Sequence, residues 1–394
     1  MTSAQSFGAI YAALFLFLGV QLPFLPGWLD ARGFDAAAIG LLSGGALVLR
    51  LLLAPALAYR AESARDPRTP LRLVALGLFL SAILLLFDVP PSVIAMDAIL
   101  LLFLFGLAMP LIDAGVLRAD RAGKLVYGRT RGIGSAAFIV ANLAGGAVIT
   151  AGGDGAVIVW LASTGLLLFL STLMLPPAPQ PAEGRERPNL KEAGRLFRSR
   201  SFLLMLFASG LCQGSHAVYY TFSELHWSAL GYSSLLIGVL WTVGVLVEIV
   251  VLLRGRALLT RIDPAMLIAL GCLGAVLRWP LTGLSPPLPV LFLLQVGHAL
   301  TFTATYLGTI EFVGRAVPET YQSTAMTVIS TLGIGAMTGG AAMLAGQIFE
   351  PEAPFLAYLG MGGMGAVGLG LALALRARWD GTTAPRLAAQ AAKG

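Results

Sequence analysis

Two short motifs carry the chemistry of this sequence: QGSH at residues 213–216 and QVGH at residues 295–298. Each places a glutamine three residues before a histidine, and residues three apart lie on the same face of a helix. Histidine binds or releases a proton near neutral pH, and the glutamine amide both donates and accepts hydrogen bonds. The motifs fit either hydrogen-bonded contacts between helices or one shared polar cavity, and their repetition favours the cavity.

Further polar residues fall within apolar segments. Gln21 lies at a depth similar to that of the two histidines, and Tyr220, one turn beyond His216, is a candidate aromatic wall of the cavity. Glu248 is a candidate proton carrier or the partner of a loop arginine. Counting about 1.5 Å per residue places Glu248 roughly 13 Å below His216, so a proton relay between them requires water or intermediate groups.

Arg50 lies so deep in its apolar segment that its side chain is not expected to extend to the water at the membrane surface. A buried guanidinium needs a partner, because an unpaired charge in hydrocarbon is costly. The partner is either Asp113 in the fourth apolar segment or the carboxylate of a bound solute. The second alternative favours an organic acid as the solute.

The segments that hold these residues have the length and composition of membrane spans. The 394-residue chain has a mean hydropathy of +0.83 and only 12% charged residues, whereas soluble proteins have about a quarter. Its apolar runs are long enough to cross a hydrocarbon core of about 30 Å, and they are continuous rather than alternating, which predicts helices. The chain is therefore predicted to be an all-α integral membrane protein with twelve spans, near residues 6–29, 36–60, 70–88, 92–116, 131–152, 156–175, 200–222, 233–254, 264–283, 288–312, 322–345 and 355–376.

Basic residues concentrate in alternate loops, which predicts that both termini are cytosolic. The net charge of +6 follows from this topology and from attraction to anionic lipid, and it implies no nucleic acid. The first apolar run lacks a small-residue cleavage site and is expected to be a retained helix. Glu224, His226 and Trp227 fall where the seventh span meets the other surface, so the two ionisable groups are expected to contact water. The basic loop residues include Arg60, Arg65, Arg68, Arg72, Arg118, Arg121 and Lys124.

A proline-rich and then basic segment at residues 176–199 separates six spans from six. This division is typical of transporters built from two pseudo-symmetric bundles. We therefore predict a bundle at 1–175, a cytosolic linker at 176–199, a second bundle at 200–376 and a cytosolic tail at 377–394.

The motifs of intramembrane or cofactor-dependent enzymes are missing from the sequence. No histidine is followed by glutamate, so H-E-x-x-H is absent, and G-x-S-x-G is absent too. Gly360, Gly362 and Gly365 fit G-x-G-x-x-G by letter, but no strand precedes them, and close helix packing explains them better. Cys212 and Cys272 are expected in the core. The prediction is a protein that is not an enzyme, has no catalytic residues, metal or cofactor, and needs to be no more than a monomer.

The run HAVYYTFSELHWSALGYSSLLIGVLWTVGVLVEIV, residues 216–250, resembles the seventh and eighth helices of the phenylpropionate permease family within the major facilitator superfamily. Further matching segments are LPFLPGWLDARGF (22–34), PLIDAG (110–115), YGRTRGIGSAAFI (127–139) and LQVGHALTF (294–302). The matches span most of the chain. The positions that match the family's motifs are His216, Glu248, Asp113, Arg129, Arg131 and His298.

The resemblance implies a twelve-helix major facilitator fold with alternating access, and proton-coupled uptake of a small organic solute. In that fold the first, fourth, seventh and tenth helices line the cavity, which would place Gln21, both glutamines of the Q-x-x-H motifs and both histidines on it. The superfamily's loop between the second and third helices usually carries a Gly and an Asp. Here Ala58 and Glu62 stand there, so the usual cytosolic gate contacts are not expected, and Arg65, Asp66 and Arg68 are expected to serve differently.

These observations combine into one functional hypothesis: a transporter in a cell membrane, expected to be the bacterial inner membrane, that imports an aromatic or other monocarboxylate together with protons. A nucleoside or sugar symporter and a drug or lipid exporter of the same fold are the alternatives. His216 is the first candidate for the proton site and Glu248 the second, while Asp113, Arg129 and Arg131 are gating or structural. The candidate substrate-binding residues are Gln21, Arg50, Gln213, Tyr220, Gln295 and His298.

Overall fold

The computed structural model describes residues 2–62, 64, 66–176, 194–255 and 261–382. Arg65, most of the predicted linker (177–193) and the end of the predicted tail (383–394) lie outside this part, as do the side chains of Ala58 and Glu62. All regular structure within the described residues is helical. The fold class predicted from the sequence, an all-α membrane protein, is confirmed.

Twelve helices, labelled here in chain order, account for the apolar segments within the described residues. Eleven of them are long and apolar enough to cross a membrane, and α3, with 16 residues, is shorter. A span count of twelve therefore stays a prediction. The helices are α1 (Ser3–Asp30), α2 (Ala36–Glu62), α3 (Thr69–Leu84), α4 (Pro91–Arg121), α5 (Tyr127–Gly152), α6 (Gly155–Leu173), α7 (Arg200–Ala229), α8 (Ser234–Arg254), α9 (Pro264–Gly283), α10 (Leu288–Ala316), α11 (Glu319–Gly346) and α12 (Phe355–Arg378).

Local sequence signals set several helix ends. Asp263 accepts a hydrogen bond from the Met266 backbone at the start of α9, and Ser199 caps α7 through the Phe202 backbone. Helices α3, α4, α9 and α10 each carry a proline in the first turn, where the missing N–H costs nothing. α3 ends at Leu84, four residues before the predicted end, because the chain turns ahead of Pro90 and Pro91.

Large apolar side chains on the outside of the helices are exposed in the protein alone. Leu253 is 79% exposed, Leu344 74% and Met96 74%. In water such a surface would aggregate, whereas in a bilayer it contacts lipid tails. The exposed apolar surface and the lengths of the helices therefore both indicate a membrane-spanning protein.

The chain folds into two compact units. One comprises Met1–Arg185 with Tyr220–Thr242, and the other comprises Glu186–Tyr219 with Val243–Gly394. The first unit packs α1 mainly against α5 and α6, and the second packs α12 mainly against α9 and α7. The sequence-based bundles 1–175 and 200–376, with the linker and tail, stay a prediction.

Glycines allow helices to approach backbone to backbone within each unit. In the first unit, a Cβ added to Gly238 of α8 would lie 2.1 Å from the Asn142 carbonyl oxygen of α5. In the second, a Cβ on Gly210 would lie 2.5 Å from the Gly333 carbonyl oxygen. Gly362 packs against Pro280 and Gly365 against Ala275, so close helix packing explains these two glycines of the G-x-G-x-x-G letters, whereas a Cβ on Gly360 would meet no atom within 4 Å.

The first unit buries residues that the sequence placed in water. His226 and Trp227 are fully buried, and the Glu224 carboxylate packs directly against Gly27 of α1. The expectation of contact with water was wrong for His226, whereas Glu224 has intermediate exposure and its carboxylate lies where Gly27 leaves room for it.

Replacing Gly238 with alanine should lower stability by about 1–3 kcal/mol, because a methyl group there meets a backbone oxygen that cannot rotate away. Thermal unfolding in detergent measures the loss. Gly45→Ala is the matched control, since a Cβ at this helical position of the same unit meets no atom within 4 Å. Equal unfolding temperatures for the two variants would contradict the close approach of α5 and α8.

Candidate functional site

Arg278, in the apolar interior of α9, organises a cluster of polar side chains in the second unit. Its guanidinium donates to the Nδ1 of His298 at 3.3 Å, to the Oε1 of Gln295 at 3.1 Å and to the Oγ1 of Thr301 at 3.1 Å. Arg278 is only 3% exposed. The QVGH motif of α10 is thus assembled around a buried cation that the sequence analysis did not single out.

His216 lies against the same cluster from α7. Its Nε2 is 3.0 Å from the Thr301 hydroxyl, and its Nδ1 is 3.1 Å from the Gln213 carbonyl oxygen and 3.2 Å from that of Cys212. Because carbonyl oxygens only accept, the Nδ1 carries the proton, and the Nε2 of the neutral ring accepts from Thr301. The rings of His216 and His298 are 5.3 Å apart, so the structure brings the two Q-x-x-H histidines together.

Glu248 of α8 reaches the cluster through His298. Its Oε2 is 4.0 Å from the His298 Nε2, and its side chain is 24% exposed, against 8% for that of His298. The counted distance of Glu248 from His216 required an intermediate group, and His298 occupies that position. Glu248, His298 and His216 therefore form a line from a partly exposed carboxylate to a fully buried imidazole.

The backbone around the two histidines departs from regular α-helix. α7 is interrupted after Gly214 and resumes at Ala217, and α10 turns into a π-helical segment at Ala299–Ala304. Such breaks free or displace backbone groups, and they occur frequently at functional sites. At the break in α7, the Cys212 and Gln213 carbonyls accept hydrogen bonds from the ring of His216.

Aromatic rings enclose the cluster. Arg278 lies 4.3 Å from the Trp279 ring centroid and 5.2 Å from that of Tyr219. Phe302 stacks on His298 at 5.3 Å, and Tyr306 stacks on Phe302 at 6.2 Å. The faces of the guanidinium and the imidazole are thus covered by rings, which leaves their edges for hydrogen bonds.

The remaining candidate substrate residues are distributed differently. Gln213 donates to the Phe302 carbonyl at 3.3 Å within the second unit. Gln21 is buried in α1, and Tyr220 lies 5.9 Å from the Trp241 ring, both in the first unit. Arg50 packs over Gly106 of α4. The structure therefore does not place these last three in the Arg278 cluster.

Asp113 takes part in a second polar group, in the first unit. It accepts a hydrogen bond from the Tyr11 hydroxyl, and the Arg131 guanidinium lies 4.3 Å from the Phe15 ring and 5.6 Å from that of Tyr11. Within the described residues Asp113 makes no ion pair with Arg50, so that alternative for Arg50 was wrong. The partner of Asp113 in the structure is Tyr11 instead. Arg129 is exposed.

The loop between α2 and α3 has its own ion pair. Arg68 donates to Asp66 at 2.8 Å and to the Leu175 carbonyl oxygen at 3.1 Å, which ties the loop to the end of α6. Hydrogen bonds from the Arg68 side chain and backbone lower the pKa of Asp66 to about 2. These two residues thus hold a loop in place where the superfamily's usual residues are absent.

Separate from these groups, a cleft of about 670 Å³ lies in the first unit, beside Trp28, Arg32 and Trp160. Arg32 stacks on Trp28 at 4.2 Å. None of the site residues predicted from the sequence lines this cleft, and its largely apolar helices face the exterior. Of the residues that the structure describes, Arg32 is the one ionisable residue that lines this cleft, whereas several buried ionisable side chains converge on Arg278, so the candidate site is the Arg278 cluster.

A set of ionisable side chains buried among membrane-spanning helices is typical of a solute transporter. The model of the MFS_1 like family matches residues 6–359 of this chain, and the protein belongs to that family. It is therefore a secondary transporter of the major facilitator kind, which binds small solutes and is not an enzyme, and a multi-pass protein of the cell membrane, as expected for a bacterial inner membrane.

Three further likenesses are found, one in sequence and two in fold. The chain is 31% identical over 310 residues to the probable 3-phenylpropionic acid transporter of Escherichia coli (strain K12), covering 77% of this chain and 80% of that protein. Its fold matches the nucleoside transporter NupG with a TM-score of 0.79 at 18% identity, covering 96% and 100% of the two chains. It also matches a D-xylose-proton symporter with a TM-score of 0.69 at 13% identity, covering 97% and 98%.

Replacing Thr301 with valine should destabilise the second unit by about 1–3 kcal/mol, because its hydroxyl serves both His216 and Arg278 and both would be left with an unmet bond. Thermal unfolding in detergent is again the measurement. Thr303→Val is the matched control two residues away, since the buried Thr303 hydroxyl has no hydrogen-bond partner among the described residues. A Thr303 variant as unstable as the Thr301 variant would show that the shared hydroxyl contributes nothing.

Proposed function

We propose that this protein imports a small aromatic monocarboxylate, of the 3-phenylpropionate type, together with protons by alternating access. The observation that carries the proposal is the line of Glu248, His298 and His216 beside a buried arginine. The arginine suits the carboxylate of a solute, and the line supplies groups that bind a proton. The name of the Escherichia coli relative points to the same class of solute.

Proton coupling rests on groups of different accessibility. Glu248 is partly exposed and exchanges protons with water, whereas His216 is fully buried. His298 lies between them and touches both. We assign His216 and Glu248 as the proton sites, with His298 as the group through which they communicate. Coupling then requires that proton and solute each bind better in the same conformation of the protein.

We assign the solute contacts to the polar edges and aromatic faces of the Arg278 cluster. The amides of Gln213 and Gln295 and the ring of His298 supply hydrogen bonds, and Phe302 and Tyr306 supply ring faces for the aryl group. Gln21, Tyr220 and Arg50, in the first unit, stay candidate substrate-binding residues. We assign Asp113, Arg129 and Arg131 to gating or to the structure of that unit.

Transport is tested by uptake of labelled 3-phenylpropionate into proteoliposomes with an inward proton gradient, with and without a protonophore. We expect accumulation above equilibrium that collapses with the protonophore. Unlabelled uridine, xylose and 3-phenylpropionate are added as competitors, and only the acid should compete. Competition by the nucleoside or the sugar alone would favour a nucleoside or sugar symporter. Proton-driven loss of preloaded acid from the vesicles, with no accumulation under the inward gradient, would favour an exporter.

In the double variant His216→Ala with Glu248→Gln, gradient-driven accumulation should fall at least about tenfold, because both groups that bind the proton are removed. Exchange of labelled for unlabelled acid across the membrane, which needs no net proton movement, should persist. Glu311→Gln is the control, since Glu311 pairs with Arg315 at the surface of α10. Unchanged accumulation in the double variant would remove both residues from the coupling role.

A further inference from the structure

We propose that Arg278 binds the carboxylate of the solute, and that this binding frees the Nδ1 of His298 to take up the coupled proton. The inference rests on the proposed function and goes beyond it, because it assigns the carboxylate to a residue of α9 and gives the physical link between the two ligands. It replaces Arg50 as the residue that recognises the acid. It also makes His298, in place of His216, the group that holds the coupled proton once the solute is bound.

The hydrogen bonds of Arg278 show that a carboxylate would be a stronger partner. Its bonds to His298, Gln295 and Thr301 are 3.1–3.3 Å long and end on neutral acceptors. Charge-assisted hydrogen bonds from arginine to carboxylate are shorter, about 2.7–2.9 Å, and two can form in parallel. Both N–H groups of Nη1 already donate, one to His298 and one to Thr301. A carboxylate that binds the two terminal nitrogens side by side therefore displaces one of these two acceptors.

The aromatic rings determine from which direction a carboxylate can approach. Trp279 and Tyr219 lie 4.3 and 5.2 Å from the centre of the guanidinium. Rings over a guanidinium leave its N–H groups pointing outward in its plane. We place the solute carboxylate at the edge formed by the two terminal nitrogens, which now donates to His298 and Gln295, with the aryl group toward Phe302 and Tyr306.

The present contacts also fix the protonation of His298. An arginine only donates, so the Nδ1 facing it accepts, and the single proton of the ring is on Nε2, on the side of Glu248. A second proton has to enter at Nδ1, the position that Arg278 occupies. While Arg278 donates there, His298 stays neutral.

Displacement of Arg278 by the solute reverses this condition. The Nδ1 lone pair becomes free, the guanidinium charge is neutralised by the solute carboxylate, and the resulting imidazolium lies beside the Glu248 carboxylate. The groups that face His298 are Arg278 from α9, His216 and Tyr219 from α7, and Glu248 from α8. Of these, the two that change are Arg278, which leaves Nδ1, and His298, which gains the proton. Solute and proton then bind together, which is the sign that symport requires.

The test is binding to the purified full-length protein in detergent, measured by calorimetry in two buffers of different ionisation enthalpy. Two probes are compared at neutral pH: 3-phenylpropionate, and 3-phenylpropionamide, which has the same ring and no charge. For the unmodified protein we expect the acid to bind with uptake of close to one proton, and the amide to bind with almost none. Equal proton uptake with both probes overturns the proposal without any variant.

Three variants sharpen the result. Arg278→Gln should lower the affinity for the acid at least about a hundredfold and the affinity for the amide less than about fivefold. Arg278→Lys should lower the affinity for the acid by an intermediate factor. His298→Asn should still bind the acid but abolish its proton uptake, which distinguishes loss of the proton site from misfolding. Arg315→Gln, at the surface of α10, is the control and should change neither probe.

The outcomes separate this inference from the proposed function. If the unmodified protein binds no acid, both fall. If it binds and transports the acid but Arg278→Gln leaves the affinity within threefold, only this inference falls. A large loss in Arg50→Gln with none in Arg278→Gln would return the carboxylate to the first unit.

Discussion

A guanidinium buried among apolar helices has to be solvated by the protein itself, and the arrangement of the second unit follows from that requirement. Water is not available in the hydrocarbon region to stabilise a charge, so acceptors have to be brought to it from neighbouring helices. Arg278 receives them from α10 through Gln295, His298 and Thr301, and its faces are covered by rings of α7 and α9. The interruption of α7 and the π-helical turn of α10 lie where these groups converge.

The spans were predictable because the bilayer fixes their length. A continuous apolar run of about 20 residues forms a membrane-spanning helix in most cases, so the helices lie where the sequence predicts them, apart from their ends. The pairing of His216 with His298 was also within reach, because equal depth in two helices suffices to suggest a common layer. Orientation, the number of spans and the bundle boundaries stay predictions.

Lateral neighbours were not predictable, because depth along one helix says nothing about which other helix lies beside it. Glu248 was compared with His216, when its contact is with His298 on α10. Arg50 was matched to Asp113, which the Tyr11 hydroxyl holds instead. Arg278 was missed although a signal existed: an arginine within the run LGAVLRWPL is as costly in lipid as any residue that was singled out.

The shortness of α3 has a consequence for the membrane around the protein. Sixteen residues rise only about 24 Å, several ångströms less than a hydrocarbon core of about 30 Å. For α3 to cross the membrane, the lipid beside it would have to thin, or the turn at residues 85–87 would have to enter the apolar region. Either adjustment costs a fraction of a kcal/mol per ångström of mismatch. A crossing by α3 would therefore make the first unit sensitive to the acyl-chain length of the surrounding lipid.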